Sequence, residues 1–212
     1  MHNTSDTKIT STKALHAFIN EFTFGVIVSS DLNATHLPFI LDKALGSENE
    51  QTHAEFGTLY SHFAKTNSHW QSLSGKEVVV IFNGPQAYIS PTWYATPPNV
   101  PTWNYAAVHA YGTLEILGEN ENIRILEKTI EKFEPELLTD PTIITEQFRG
   151  KLLSHIVSFK INIERIEGKQ KLGQHRSSQD QQGVVAGLRA SGNSDADNLL
   201  SYMFKKGIGT GK

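Results

Sequence analysis

The chain has 212 residues, 38% of them apolar, no cysteine and a formal net charge of −3. That length and apolar content suffice for one ordinary domain with a real core, while the lack of cysteine excludes disulfides, thiolate nucleophiles and cysteine-held zinc or iron–sulfur centres. The 22 acidic residues outnumber the 19 basic ones, so there is no general electrostatic attraction to nucleic acid, whose non-specific binding rests on Lys and Arg neutralising phosphates.

Met1 to Thr12 is polar, and no apolar run reaches the roughly 18 residues of a membrane span or forms a signal-peptide core, so a soluble, cytoplasmic protein is expected. Ser11 or Thr12 caps a predicted helix in which Leu15, Phe18, Ile19 and Phe22 recur at one-stripe spacing. Phe24 to Ser29 reads as a strand, Asp31-Leu32-Asn33 as a turn, and Ala34 to Leu41 as a second strand paired with the first. Asp42 to Gln51 reads as a polar loop and Glu55 to Tyr60 as a third strand. Ser61 to Trp70 then leaves the sheet as an irregular or short helical segment. The β-branched run Val78 to Phe82 is a buried strand that Asn83-Gly84-Pro85 ends in a sharp turn.

After the Pro-rich bend Pro97 to Pro101, a long strand from Trp103 alternates. Ala106, Val108, Ala110, Gly112, Leu114 and Ile116 form a small apolar face suited to a barrel interior. Trp103, Tyr105, His109, Tyr111, Thr113 and Glu115 form the other face, which suits a partner subunit or a planar ligand, or is ordinary barrel surface. Asn120 to Phe133, with Ile123, Leu126 and Ile130 as its stripe, and a region from Asp140-Pro141 to about Leu153 are predicted helices, an insertion at about 119–154. Val157, Phe159, Ile161 and Ile163 mark a half-buried strand that Gly168 turns back on itself. Gly183 to Leu188 closes a short helix. A last helix is capped by Asp195 or Asp197 and closed at Gly207, and Gly209 to Lys212 reads as a frayed end. One domain over 1–190 with a helical tail over 191–212 is the expected organisation.

Of the nine histidines none is spaced as His-x-x-x-His with a Glu on a helix, and His62 with His69 is the nearest couple, so no metal is expected. Neither a Gly-x-Ser-x-Gly elbow nor a Gly-x-Gly-x-x-Gly turn is present. Lys65 and Asn67, just past a strand, are phosphate ligands or solvated surface. Lys169, Lys171, His175 and Arg176, beside Gln174 and Ser177, are an anion site or a solvated turn. Two such clusters and an aromatic face fit a phosphorylated planar cofactor.

Five ordered blocks carry a resemblance: Ala34 to Pro38, His62 to Asn67, Gly84 to Tyr94, Val100 to Gly112 and Ile166 to Leu172. From about Phe24 to Leu188 the chain resembles the PaiB-type FMN-binding negative transcriptional regulators. The resemblance implies a mainly β (α+β) fold: an FMN-binding split β-barrel with peripheral helices and a C-terminal helical extension, forming a homodimer with FMN at the subunit interface. It implies that His62, Lys65 and Asn67 lie near the cofactor phosphate and ribityl chain. Tyr88, Ser90, Trp93, Thr102, Trp103 and Asn104 would flank the flavin, with Lys171, Gln174 and Arg176 reaching it from the C-terminal segment. Ser61, Ser68, Gly173 and His175 depart from the family's pattern at the phosphate end. No catalytic residue is assigned. The alternatives are an FMN-dependent oxidoreductase acting on a small substrate and a flavin-free, DNA-contacting dimer. With an acidic balance and no recognition helix, regulation is expected to run through a protein partner or a flavin-linked signal rather than direct DNA binding.

Overall fold

The computed structural model describes residues 1–2, 4–42, 55–140 and 142–212. Beyond Asp42 the expected polar loop lies outside the described residues, as does Pro141. The strands are β1 (Lys8–Ile9), β2 (Phe24–Ser29), β3 (Ala34–Pro38), β4 (Ile40–Asp42), β5 (Thr58–Ala64), β6 (Glu77–Ile89), β7 (Thr102–Ile116) and β8 (Ile156–Lys171). The helices are α1 (Thr12–Glu21), α2 (Glu119–Phe133), α3 (Glu146–Ser154), α4 (Ser178–Ala190) and α5 (Ser194–Lys206). The strands form one sheet in the order β3-β2-β6-β7-β8-β5-β4, with β1 pairing β8 off this path. The chain divides into two compact units. A terminal unit comprises Met1–Phe18, Asn83–Val108 and Glu167–Lys212, and a barrel unit comprises Ile19–Phe82 and His109–Ile166. Residues 191–212 thus belong with the terminal unit.

In the barrel unit β2 pairs antiparallel with β3, and β4 with β5. The expected strand from Ala34 to Leu41 is therefore two strands, broken at Phe39, whose N–H donates to the Thr23 carbonyl at 2.9 Å. Because β3 and β4 stand at opposite ends of the strand order yet are separated by one residue, the sheet curls until its ends meet, which is how a barrel closes. Phe39 fills that seam: its ring lies edge-on to Phe82 at 5.6 Å and to Phe159 at 6.2 Å, and Phe63 lies 4.8 Å from Phe159. The third strand starts later than expected, at Thr58, because Gly57 turns with φ +87°. It then runs through Ala64 rather than leaving at Ser61, since β8 pairs it from Asn162 to Ile156. α2 buries Asn122 and Ile125 rather than the expected Ile123, Leu126 and Ile130 stripe. The Asn122 amide donates to the carbonyls of Leu153 (3.1 Å) and Ile156 (3.3 Å) and accepts from the Ser158 N–H (3.2 Å). A buried side chain that satisfies three backbone groups orients the helix more firmly than an apolar stripe would.

Two expected turns are strand instead. Asn83-Gly84-Pro85 lies inside β6, where burial switches from even residues (Val78, Val80, Phe82) to odd ones (Ala87, Ile89). In the terminal unit a Cβ on Gly84 would sit 2.7 Å from the Phe18 ring, so this glycine permits close packing. Gly168 lies within β8 and pairs with Ile9, and a Cβ there would stand 2.3 Å from Leu15 Cδ2. α4 is capped by Ser177 and α5 by Asn193, whose side chain accepts from the Asp195 N–H, so neither Asp195 nor Asp197 is the cap. Gly207 ends α5 in the left-handed conformation, as expected.

The final residues are not frayed. Gly209, Thr210 and Gly211 are buried. The Gly211 carbonyl accepts from Ser178 Oγ (2.6 Å) and Gln182 Nε2 (3.1 Å), and its N–H donates to Gln181 Oε1 (2.9 Å). Phe18 and Tyr202, ring centroids 6.4 Å apart, belong to this unit's core with Leu188, Leu199 and Met203. Among the described residues no helix is long and apolar enough to cross a membrane.

Candidate functional site

In the terminal unit the ends of β6 and β8 and the start of β7 form an aromatic and cationic surface. Tyr88 and Trp103, 46% and 52% exposed, meet edge to face at 6.3 Å. Lys171 Nζ donates to Thr102 Oγ1 and to the Trp103 carbonyl, the latter at 3.0 Å. Burial holds its ammonium below the ordinary lysine value, and the charges of Lys169 and Arg176 push it the same way. The remaining rings of this β7 face are less open. Lys169 Nζ lies 5.8 Å from the Tyr105 centroid, and in the barrel unit the Arg165 guanidinium lies 3.5 Å from that of Tyr111.

The other expected residues of this unit form its frame. Ser90 caps the 3-10 turn Pro91–Trp93, accepting from the Thr92 N–H at 3.2 Å. Trp93 is taken up by α4: a Cβ on Gly187 would fall 2.2 Å from its ring, and one on Gly183 would fall 2.0 Å from its carbonyl. Gln174 accepts from the Leu172 N–H and donates to the carbonyls of Asp6 and Gln170, each at 2.8 Å. Asn104, 3% exposed, and Arg176 help to wall a cavity of about 10 Å³, room for one water at most. The Arg176 guanidinium lies 4.4 Å from the Tyr94 centroid and donates to Asn99 Oδ1 at 3.0 Å, while its Nε is buried without a hydrogen-bond partner.

In the barrel unit His62 lies near the end of β5, and Lys65 and Asn67 follow just beyond it. His62 stands opposite Ser158 in β8, and both His62 Nδ1 and Ser158 Oγ are buried without hydrogen-bond partners. Burial lowers the His62 pKa. Lys65 is exposed, with Nζ 3.5 Å from Glu119. Asn67 caps the 3-10 turn Ser68–Ser72, accepting from the His69 N–H at 3.0 Å and donating to Thr35 Oγ1 at 3.4 Å. Sequence reasoning missed what surrounds this cap. His69 is 7% exposed and hydrogen-bonds Ser29 Oγ through Nε2 and Thr35 Oγ1 through Nδ1, both at 2.8 Å, and Ser29 in turn donates to Asp31. Its partners are 34 and 40 residues away in sequence, so the one available signal was the Asn67-x-His69 cap itself. An open cleft lined by Asn33, Thr35, His36, Asn67, Ser68 and Ser72 lies over this network. Among the described residues no group of three or more His, Cys, Asp or Glu side chains is placed to hold a metal ion.

Residues 1–165 match the family model described as "Putative FMN-binding domain". The chain is 34% identical over 207 residues to the Protease synthase and sporulation protein PAI 2 of Bacillus subtilis, spanning 94% of each. It is 29% identical over 209 residues to an uncharacterized protein of Emericella nidulans, spanning 82% of each. Among solved structures it resembles the flavocytochrome Anf3 from Azotobacter vinelandii, with a TM-score of 0.57 at 11% identity over 80% of this chain and 72% of that one. It also resembles a FAD and heme binding protein from Mycobacterium smegmatis, with a TM-score of 0.53 at 15% identity over 78% and 73%. At such identities the likeness is one of fold, the split barrel.

Proposed function

Because this chain belongs to the FMN-binding domain family, in its PaiB-type form, we propose that it is an FMN-carrying split-barrel protein that acts as a negative transcriptional regulator. The observation that carries the reading is the Lys171 ammonium, fixed between Thr102 and the Trp103 carbonyl beside the exposed Tyr88 and Trp103 rings. FMN combines a planar ring, a polyol and a phosphate, and each unit, taken by itself, carries side chains of a kind that suits one of these parts. Tyr88 and Trp103 offer faces for the ring, and Lys171 offers a cation for its polar edge. Lys65, Asn67 and the unsatisfied His62 Nδ1 offer a cation and hydrogen-bonding groups for the phosphate and polyol. Arg176 brings a second cation with an unsatisfied Nε. Ser90, Trp93, Asn104 and Gln174 hold the ring-binding surface in place. When bound, FMN supplies a ring that takes up electrons or hydride, while the protein orients it and limits water access.

The proposal includes a homodimer with FMN at its interface, in the cytoplasm. Tyr88, Val100 and Trp103 leave apolar surface in water, Val100 being 68% exposed, and a two-fold axis would cover it twice. The test is reconstitution: after incubation with FMN and gel filtration, the protein should elute as a dimer carrying visible flavin absorbance. Elution as a colourless monomer at micromolar concentration would refute the reading.

A further inference from the structure

The cleft between β3 and the Ser68–Ser72 turn, of about 440 Å³, lies over hydrogen bonds whose direction follows from the chemistry of their ends. Asp31, held ionised chiefly by its bond to Ser29, can only accept, so Ser29 Oγ donates to it. Ser29 Oγ must then accept from His69 Nε2, which carries the ring hydrogen. In the neutral ring Nδ1 is left as an acceptor, and Thr35 Oγ1 donates to it. Thr35 accepts in turn from Asn67 Nδ2, and the Asn67 amide cannot flip because its Oδ1 accepts from the His69 N–H. In this state Thr35 spends its only hydrogen on His69.

We infer that His69 is a proton-linked positioning residue for a phosphate monoester in this cleft, acting through the hydroxyl of Thr35. A protonated His69 would donate from Nδ1 to Thr35 Oγ1, and the Thr35 hydrogen would turn outward to meet an anionic oxygen beside the Asn67 amide. Protonation thus converts Thr35 from acceptor to donor toward the cleft and adds a positive charge beneath it. Burial keeps the pKa of His69 below the ordinary histidine value, against the pull of Asp31. The other groups around it are few. The β2–β3 turn contributes Asp31, β3 contributes His36 across the cleft, β5 contributes the uncharged Phe63 ring at 5.8 Å, and the 3-10 turn contributes Ser68, Trp70, Gln71 and Ser72, none charged.

One source of the phosphate is FMN, which deepens the reading above and rests on it; the other is free inorganic phosphate. The test measures FMN and riboflavin affinity by fluorescence from about pH 8 to 5.5 in wild type, His69→Gln, Thr35→Val and His36→Gln, with the His69 ring followed by NMR with and without inorganic phosphate. FMN should bind more tightly in wild type than in His69→Gln as pH falls, by up to about tenfold per pH unit for one linked proton. Comparison at each pH cancels the second ionisation of the FMN phosphate, near about pH 6. Riboflavin should show no such difference, Thr35→Val should flatten the profile, His36→Gln should retain it, and FMN or phosphate should raise the pKa of His69. Identical wild-type and His69→Gln profiles for FMN would overturn the inference, as would transfer of the effect to riboflavin or its loss in His36→Gln. If neither flavin binds, the FMN reading fails by itself, and the His69 titration decides: a rise with phosphate upholds the inference and no rise sinks it. That titration uses the wild-type chain, so a variant that does not fold leaves the inference testable.

Discussion

At Gly187 and Gly183 a side chain would collide with Trp93, at 2.2 Å from its ring and 2.0 Å from its carbonyl. Gly187→Ala should destabilise the protein by about 1–3 kcal/mol, the usual range for overpacking. Calorimetry should then show the melting temperature falling by roughly 2–4 °C per kcal/mol, as expected for a chain of this length. Lys171→Met removes a charged donor from the proposed flavin surface and should weaken FMN by about tenfold or more, read by fluorescence titration. His62 and His69 carry a pH dependence whose sign is fixed. Both have folded pKa values lowered by burial, so the unfolded chain takes up protons first. Their contribution to stability is intact above the ordinary value of about 6.5 and is lost as pH falls through it toward the folded values. The melting temperature of the flavin-free protein should therefore drop between about pH 7 and 5, with a shallower drop in His62→Gln. Residue type was a fair guide to chemistry here and a poor one to geometry. Gly84 and Gly168 read as turns because glycine usually marks them, yet each leaves room for a side chain distant in sequence, Phe18 or Leu15. Trp93 and Gln174, expected beside a flavin, also contact Gly187 and Asp6, at long sequence separations that no local pattern encodes.

Among the elements, α4 is held at its start by the last residues of the chain. Removing 208–212 would free Ser178, Gln181 and Gln182 from Gly211. Amide hydrogens in the first two turns of α4 should then exchange faster, while those of β2 and β5 keep their protection, as mass spectrometry of the two proteins would show. Unchanged exchange in α4 would mean that Ser177 alone secures the helix. α1, β2 and β7 were legible because each carries a full amphipathic period within its own residues. The α5 cap lies two residues earlier than its sequence suggests because Asn193, beside Gly192, reads as part of a flexible joint until its side chain is seen on the Asp195 N–H. The α2 face differs from its apolar stripe because its buried centre is Asn122, a polar residue that no hydrophobic pattern can nominate.

For the molecule as a whole, the excess of 22 acidic over 19 basic residues is an argument against autonomous DNA binding. Fluorescence anisotropy with upstream fragments at about 150 mM salt should detect no sequence-selective binding tighter than roughly 10⁻⁸ M, with or without FMN. Nanomolar selective binding would show that Lys169, Lys205 and Lys206, doubled in a dimer, outweigh the net charge. The barrel itself was legible only through resemblance. Its closure depends on Phe39 passing the chain from a pairing with β2 to a pairing with β5, a change whose local sign in the run from Ala34 to Leu41 is Pro38, which cannot donate to a ladder.

The first residues of the chain are secured almost entirely by late ones. The amino group of Met1 meets Glu167 at 2.7 Å, the His2 carbonyl accepts from Lys169, the Asp6 carbonyl from Gln174, and Lys8 and Ile9 pair with Lys169 and Gly168. On the ribosome, at about 5–20 residues per second, this segment waits on the order of ten seconds or more before its partners have been synthesised. Throughout that interval β1 is a nascent strand with no sheet to join, open to chaperones and to mispairing, and the terminal unit can be completed only after residues 167–174 have been made.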